Sequence, residues 1–496
     1  MSLSSNISRL PSTEVYNKVK GLVFGAALGD AIGLSTEFFS KSQARELYGL
    51  GPIKFGAEDG YPFYLDNHRA RWKSGDWTDD TDQQILLVQS LLSQKGHLIS
   101  KDFANRLKVW AKDGFPELDD KPPFGIGLTV GSVLSHPNFL STPHQAAWEV
   151  WNQFDKNMAA NGALMRTAIL GVPYFWDEKQ VVKQTLQATK VTHADPRCCV
   201  ASVICTALVS RILRGETQGT GEEIKDEDVI NWMQSGKPGN SPEENIDDAE
   251  LMSQVPTTEQ IEEAPRGGRR SVVRRLSDFG SSLFGRPSNE KTPRWVARLS
   301  TRPQFTPREK PTIPDNPPPG MDTFGADDEM LALTQNIVNK YKFMVVAPMD
   351  GENEESDSRR IRPNLKTNSG EGELLKHCFP PNIAALDLDE GGAIGYVYKC
   401  LGSALYCFTR DLSKCDNEGE AFKRIITELV LEAGDSDTNA AVAGALLGSR
   451  IGYNKLPKEW LTGLRFTDWL SDLIDKLWAQ VLANVNSNGQ ETTSEV

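Results

Sequence analysis

The chain reads as all-α: a compact, orthogonal many-helix domain interrupted by a long, largely disordered insertion. Three observations predict this. Apolar residues recur at helical spacing in both flanks, period-two alternation is scarce, and the middle of the chain segregates into acidic and basic blocks that cannot fill a core. Residues 1–13 read as a flexible N-terminus, followed at 14–236 by the first part of the domain. In that part, Gln83 to Leu92 places Ile85, Val88 and Leu92 on one stripe and Leu87 with Leu91 on its neighbour, the wide apolar face of a buried helix. Asp195-Pro196 supplies a helix cap followed by proline at the first helical position, and the apolar run through Ile204 to Leu213 continues that helix. Residues 237–370 form the insertion, within which Met330 to Val345 has the spacing of a helix that docks on the folded part. The domain resumes at 371–480. There Asn439 to Ile451 spaces Ala440, Gly444 and Gly448 four apart, a small-residue face that lets another helix approach closely. Residues 481–496 read as a flexible tail.

With 496 residues and 39% hydrophobic content, the chain can bury at least one large core. A net charge of −13 argues against a general binder of polyanions, so an anionic ligand must meet donors or metal locally. Seven cysteines form no C-x-x-C pair and no His-partnered zinc spacing, which suggests neither a disulfide frame nor a zinc site. The apolar run Gly21 to Leu34 carries Asp30 and follows a polar leader, so it reads as neither a membrane span nor a signal peptide. The expectation is a soluble intracellular protein, cytoplasmic or nuclear, without a membrane partner.

The insertion carries a charge pattern of its own. Glu216 to Glu263 holds 14 acidic residues against two lysines, and Glu262 to Lys310 holds 12 basic against five acidic. Such blocks stay solvated. Arg269-Arg270-Ser271 and Arg274-Arg275-Leu276-Ser277 suit a basophilic kinase, whose phosphorylation of Ser271 or Ser277 would weaken pairing between the two blocks. Such strings also arise by chance in basic linkers. The basic block lacks a folded scaffold and interleaved aromatics, so specific nucleic-acid binding is not expected.

Two acidic clusters stand in the same local context, each at a turn that opens a strongly apolar helix: Trp77-Thr78-Asp79-Asp80-Thr81-Asp82 and Gly434-Asp435-Ser436-Asp437-Thr438. Carboxylates and hydroxyls are the hard oxygen ligands that Mg²⁺, Mn²⁺ or Ca²⁺ take. Asp and Thr at a helix start also serve as simple caps. Five carboxylates in two turns exceed what capping requires. Asn161-Gly162 places an amide and a glycine where a helix is expected to begin, so backbone N–H groups would face a phosphate; it also reads as a plain turn. His193 stands just ahead of the helix capped by Asp195, in a position that equally suits an ordinary turn residue.

These residues resemble the ADP-ribosylglycohydrolase family, which includes the dinitrogenase reductase-activating glycohydrolases and the animal ADP-ribosyl hydrolases. The resemblance rests on five ordered blocks: GLVFGAALGDAIGLSTEF (21–38), GDWTDDTDQ (75–83), NGALMR (161–166), THADPR (192–197) and EAGDSDTNAAVAGALLGSRIGY (432–453). It covers about 14–214 and 371–480 and leaves the insertion unexplained. The resemblance implies two Mg²⁺ or Mn²⁺ ions, held by Thr78, Asp79, Asp80, Asp435, Asp437 and Thr438. It implies a mobile glutamate near the metals, here Glu37, and contacts to the diphosphate and distal ribose from Asn161, Gly162 and His193. Two departures stand out: Asn157-Met158-Ala159-Ala160 replaces a Gly/Ser-rich stretch, and Ala433 replaces a second glycine before the Asp-x-Asp run.

The implied activity is dimetal hydrolysis of the glycosidic bond of ADP-ribosylated protein side chains or small ADP-ribose conjugates, releasing ADP-ribose. The ions would chelate the vicinal hydroxyls of the proximal ribose, and Asp79 or Asp80 is the candidate to polarise or deprotonate the attacking water. Clustered negative oxygens also suit an oxocarbenium-like transition state. The diphosphate would be met by helix N-termini, and Phe124 or Tyr398 are candidates to stack adenine, although each reads equally as an ordinary ring. A non-catalytic ADP-ribose-binding or structural relative is the alternative; a phosphatase or nucleotidase using the same dimetal logic is a third reading. A monomer is expected.

Overall fold

The computed structural model describes residues 7–51, 53, 55, 64, 66–118, 122–216, 226–234, 320–345 and 369–491. The expected kinase sites Ser271 and Ser277 and both charge blocks of the insertion lie outside the described residues, apart from short stretches of the acidic block. In chain order the helices are α1 (Ser12–Gly33), α2 (Lys41–Tyr48), α3 (Asp79–Ser93), α4 (Ser100–Asp113), α5 (Leu128–Leu134), α6 (Pro143–Gln153), α7 (Leu164–Thr167), α8 (Glu178–Lys190), α9 (Pro196–Arg214) and α10 (Asp226–Gln234). They continue with α11 (Asp328–Tyr341), α12 (Ser369–Cys378), α13 (Val397–Phe408), α14 (Glu418–Val430), α15 (Ser436–Ile451), α16 (Lys458–Gly463) and α17 (Thr467–Glu491). Among the described residues the only extended pairings are the isolated bridges Ala160 to Tyr396 and Ala326 to Arg410. The fold is all-α.

The centre of the molecule is the crossing of α1 and α15. A side-chain carbon at Gly21, Gly25 or Gly29 would overlap the carbonyl oxygens of Gly448, Gly444 and Ala440 respectively, and one at Gly33 would overlap the backbone of Asp437. Small residues four apart on both helices let the two backbones touch along nearly their whole shared length. The small face seen at Ala440, Gly444 and Gly448 thus finds its complement in four glycines of α1. This contact carries Asp30 and Gly33 to the start of α15, where Asp437 stands.

Helix α9 follows the expected start: Asp195 caps it by accepting from the Arg197 N–H at 3.0 Å, with Pro196 at the first position. By length and composition it could cross a bilayer, but 89% of its apolar window is buried inside the molecule, as in a core helix. The helix expected over 330–345 appears as α11, capped by Asp327, with a 3₁₀ turn at Lys342–Val345. Leu333, Ile337, Val338, Tyr341 and Met344 are buried against the rest. A charged anchor secures it: the Glu178 carboxylate accepts from the Tyr341 hydroxyl (2.6 Å), Lys340 Nζ (2.9 Å), Arg211 Nε (2.8 Å) and an Arg214 guanidinium nitrogen (3.1 Å). The tail expected at 481–496 is corrected for 481–491, because α17 continues to Glu491 and buries Val481 and Val485. Val481 and Val485 continue at helical spacing the buried stripe of Leu470, Ile474 and Leu477.

Candidate functional site

The two acidic clusters, distant in sequence, meet at the helix crossing. Carboxylate oxygens of Asp30, Asp80 and Asp437 lie within 4.8 Å of one another, and so do those of Glu37, Asp435 and Asp437. The two groups share Asp437. The Thr438 side chain favours the charged forms of both Asp80 and Asp435, and the Thr438 N–H donates to Asp437 Oδ1 at 2.9 Å. Asp80 and Asp437 are buried, whereas Asp79 and Asp435 keep part of their surface open.

The first cluster is positioned from α1. Thr78 caps α3, and its hydroxyl donates to Asp30 Oδ1 at 2.8 Å and to Asp80 Oδ2 at 3.2 Å. Thr81 donates to Asp30 Oδ2 through its N–H (3.0 Å) and its hydroxyl (2.6 Å). The lone pairs of Asp30 are taken up by these donors and by the Thr78 N–H. Asp30 therefore orients the turn rather than offering a free oxygen to an ion. Asp79, Asp80 and Asp82 lie in the first turn of α3, not ahead of it. Asp82 turns away from the cluster: its two oxygens accept from the indoles of Trp77 (2.9 Å) and Trp110 (3.0 Å). Four of the five carboxylates read as a cluster converge, and Glu37 joins them.

Burial first, then neighbouring carboxylates, pushes Asp79 up to about 8, and pushes Asp80 and Asp437 well above the usual carboxylate range. Asp435 is raised too, chiefly by burial, against an Asn161 amide that donates to its Oδ2 at 2.8 Å. Asp30, raised by burial and eased by its threonine donors, lies at about 6. No salt bridge among the described residues reaches Asp30, Asp79, Asp80, Asp435 or Asp437. Asp80 Oδ1 is buried without a hydrogen-bond partner. An all-oxygen set with excess negative charge and an orphaned buried oxygen fits hard divalent cations.

A buried hydrogen-bonded chain joins three of the sequence blocks. Gln83 donates to Asp79 Oδ2 at 2.9 Å, and Arg166 donates to Gln83 Oε1 and to the Thr192 hydroxyl, both at 2.6 Å. Thr192 lies 2.8 Å from His193 Nδ1, while His193 Nε2 is buried without a partner. His193 packs against Gly162, where a Cβ would come within 3.3 Å of its ring. Burial, reinforced by Arg166, holds His193 well below the usual imidazole range, so the ring stays neutral. Asp30, Gln83, Arg166 and Thr192 were not read as functional from the sequence. The available signal for Asp30 was a charged residue inside the apolar run Gly21 to Leu34, whereas Gln83 and Thr192 stand among other polar residues and carry no comparable local signal.

Part of the donor capacity at the two expected phosphate-facing helix starts is used inside the chain. Asn161–Ala163 is a 3₁₀ turn leading into the four-residue α7, and the Asn161 N–H is taken by the Gly395 carbonyl at 3.0 Å. At α9 the Asp195 side chain occupies the Arg197 N–H, and Arg197 donates to Asp195 again through its guanidinium at 2.7 Å. At α9 the first N–H groups are therefore taken by Asp195, and at the Asn161 turn the first one is taken by Gly395. On the other flank, Glu37 is buried, and its Oε2 lies 2.6 Å from His68 Nε2, a partner with no obvious signal in the sequence.

The profile of the family described as ADP-ribosylglycohydrolase matches residues 11–285 and 346–486. The chain belongs to this family. Among curated ADP-ribosylglycohydrolase relatives, the ADP-ribosylarginine hydrolase Tri1 of Serratia proteamaculans (strain 568) is 25% identical over 211 residues, 42% of this chain and 51% of that protein. The ADP-ribosyl-[dinitrogen reductase] glycohydrolase of Rhodospirillum rubrum is 24% identical over 204 residues, 40% of this chain and 60% of that protein. The matches thus span less than two thirds of these relatives' lengths. A solved structure described as an ADP-ribosylglycohydrolase-related protein complex covers 95% of this chain and 99% of that one, at 18% identity and a TM-score of 0.46.

Proposed function

We propose that this ADP-ribosylglycohydrolase cleaves the glycosidic bond between ADP-ribose and a protein side chain or small conjugate, using two divalent cations, Mg²⁺ or Mn²⁺. The observation that carries the reading is the meeting of the two acidic turns at Asp437, whose carboxylate lies within 4.8 Å of that of Asp80 and of those of Glu37 and Asp435, with Asp80 Oδ1 buried and unpaired. The name of the Serratia relative, an ADP-ribosylarginine hydrolase, makes an arginine-linked conjugate the first substrate to test. Bound cations would supply Lewis acidity to a ribose diol and lower the pKa of water.

The residues themselves divide the remaining work. Asp80 and Asp437, buried and raised well above the usual carboxylate range, would give up their protons to the cations and hold them through carboxylate oxygens. Asp79 has Oδ2 fixed by Gln83, which leaves Oδ1 to take a proton from the attacking water at the open side. Negative oxygens of Asp435 and Glu37 face the sugar, where positive charge develops as the bond to the leaving group stretches. Asn161 orients Asp435 through its amide. His193, neutral and with Nε2 free, is a donor or acceptor for a hydroxyl or phosphate oxygen of the ADP-ribose half.

The test is cation-dependent release of ADP-ribose from ADP-ribosylated peptides by the full chain, with Asp79→Asn/Asp80→Asn as control. Release that the chelator and the double variant abolish supports the reading. Inorganic phosphate as the product, or tight ADP-ribose binding with no turnover, would overturn it.

A further inference from the structure

Beside the carboxylate cluster, on the Glu37 side, the structure holds an aromatic run that the proposed chemistry does not use. The rings of Phe38, His68, Trp72 and Phe124 follow one another with centroid spacings of 5.1, 4.8 and 5.1 Å. Phe38 is 55% exposed and Phe124 47% exposed, the two most exposed large hydrophobic side chains among the described residues. Both fall in this one run, against expectation for solitary surface apolar residues scattered at random.

The run is built rather than incidental. Phe38 adopts a left-handed backbone, φ 63°, uncommon for a bulky residue, and its N–H is pinned to the Gly434 carbonyl at 2.7 Å, directly before Asp435. Arg71 ties the rest together. Its guanidinium donates to the Phe124 carbonyl at 3.0 Å and to the His68 carbonyl at 3.1 Å, and pairs with His68 Nδ1. It lies 4.8 Å from the Trp72 ring and 5.7 Å from that of Phe124. Three of its five N–H groups are thereby used, and the residue is exposed, so two donors remain for a carbonyl or carboxylate. His68 in turn contacts Glu37, which belongs to the cluster.

We infer that this rim is the acceptor subsite, and that its occupant is the polypeptide flanking an ADP-ribosylated side chain. The inference rests on the proposed hydrolase reading. A conjugate whose ribose lies at the carboxylates must send its leaving group past Glu37 or another wall to solvent. Past Glu37 it meets aromatic faces suited to side chains and peptide planes, and a cation that complements backbone carbonyls and acidic neighbours in a site otherwise negative. A small conjugate has nothing to place there.

Three probes decide it: an ADP-ribosylated arginine peptide, ADP-ribosyl-arginine, and free ADP-ribose, each with Mg²⁺ and the full chain. The variants are Trp72→Ala and Phe38→Asn, the latter chosen because Asn tolerates a left-handed backbone and the ring it removes is largely exposed. Each variant is expected to raise KM for the peptide about tenfold with kcat retained, as loss of an aromatic contact residue does. KM for ADP-ribosyl-arginine and Kd for free ADP-ribose should stay within about twofold, as removing a contact those ligands do not make requires. Equal losses on peptide and monoconjugate, or no loss on the peptide, would overturn the rim while leaving the hydrolase standing. A wild-type chain that releases no ADP-ribose from either conjugate would overturn the hydrolase reading, and the rim with it.

Discussion

The Asp30 carboxylate holds Thr78 by both its hydroxyl and its backbone N–H, at 2.8 and 3.0 Å. Asp30 lies on a helix packed backbone to backbone against the one that starts at Asp437, so this pair transmits the position of one acidic turn to the other. Asn at position 30 would present an amide to donors and lose half of that grip. Asp30→Asn is therefore expected to weaken Mg²⁺ binding by roughly 10–100-fold, the usual effect of losing an orienting partner. Calorimetric titration of Mg²⁺ into the metal-free variant measures it, and an unchanged affinity would remove Asp30 from that role.

Metal and protons should compete in the same cleft. The folded chain holds Asp79 up at about 8 against an ordinary value of 3.8, and Asp80 and Asp437 are raised as well. A carboxylate whose folded pKa is raised stabilises the fold while protonated, and that contribution is lost as pH rises from about 4 to about 8. The metal-free chain should then lose stability across this window. Mg²⁺ replaces the protons, so the rise in Tm on adding it should be larger at pH 8 than at pH 5.5. A Tm increment independent of pH would contradict the assignment.

Close packing of α1 on α15 gives a sharp steric test. A Cβ at Gly29 would run into the Ala440 backbone, whereas one at Gly391 meets nothing within 4 Å. Gly29→Ala is expected to destabilise by about 3 kcal/mol or more, because backbone cannot yield as a flexible side chain can. Gly391→Ala should fall within ~0.5 kcal/mol of the parent, as surface substitutions do. Urea unfolding of both variants reads the contrast.

Glu178 fastens α11 to the core through four donors, two of them from buried arginines. Glu178→Gln leaves those guanidinium groups with Glu216 as their remaining counter-charge and should cost about 3 kcal/mol, the low end for breaking a buried pair. Lys340→Met removes only a partly exposed partner and should cost about 1 kcal/mol or less. Proteolysis after Lys340 or Lys342, followed over time, should accelerate far more in the first variant.

Ala433 carries a backbone φ of 63° in the buried turn before Asp435. An L-residue pays about 1 kcal/mol for that geometry relative to glycine. Ala433→Gly should leave stability unchanged or raise it by up to ~1 kcal/mol, with the unfolded-chain entropy of glycine working against the gain. A loss above that size in chemical denaturation would mean that the methyl group packs more tightly than the strain costs.

Much of the architecture was legible in the chain. The cap at Asp195, the stripes of α3 and the small face of α15 each follow from spacing, because helix periodicity and capping are local properties. The boundaries shifted where a capping side chain outside the apolar run starts the helix, as Thr78 does for α3 and Asp327 for α11. The candidate site was half legible. Asp79, Asp80, Asp435 and Asp437 stood out as carboxylates in turns, and Glu37 only through the family resemblance, but Asp82, in the same run as Asp79 and Asp80, serves two indoles instead. No spacing rule separates Asp80 from Asp82, since which way each points depends on what the rest of the chain brings alongside.

By itself the sequence determined the helical class, the oxygen-rich chemistry and the small-residue face of α15, because these depend on residue type and on neighbours within a few positions. Tertiary structure alone decided that the two acidic turns share Asp437, that Asn161 and the Asp195-capped helix spend their N–H groups internally, and that Arg166 links Gln83 to Thr192. It also decided that Arg71 gathers three rings beside Glu37. Each of these depends on contacts between segments far apart in the chain, and side-chain direction at such contacts is set by packing, which no local pattern encodes.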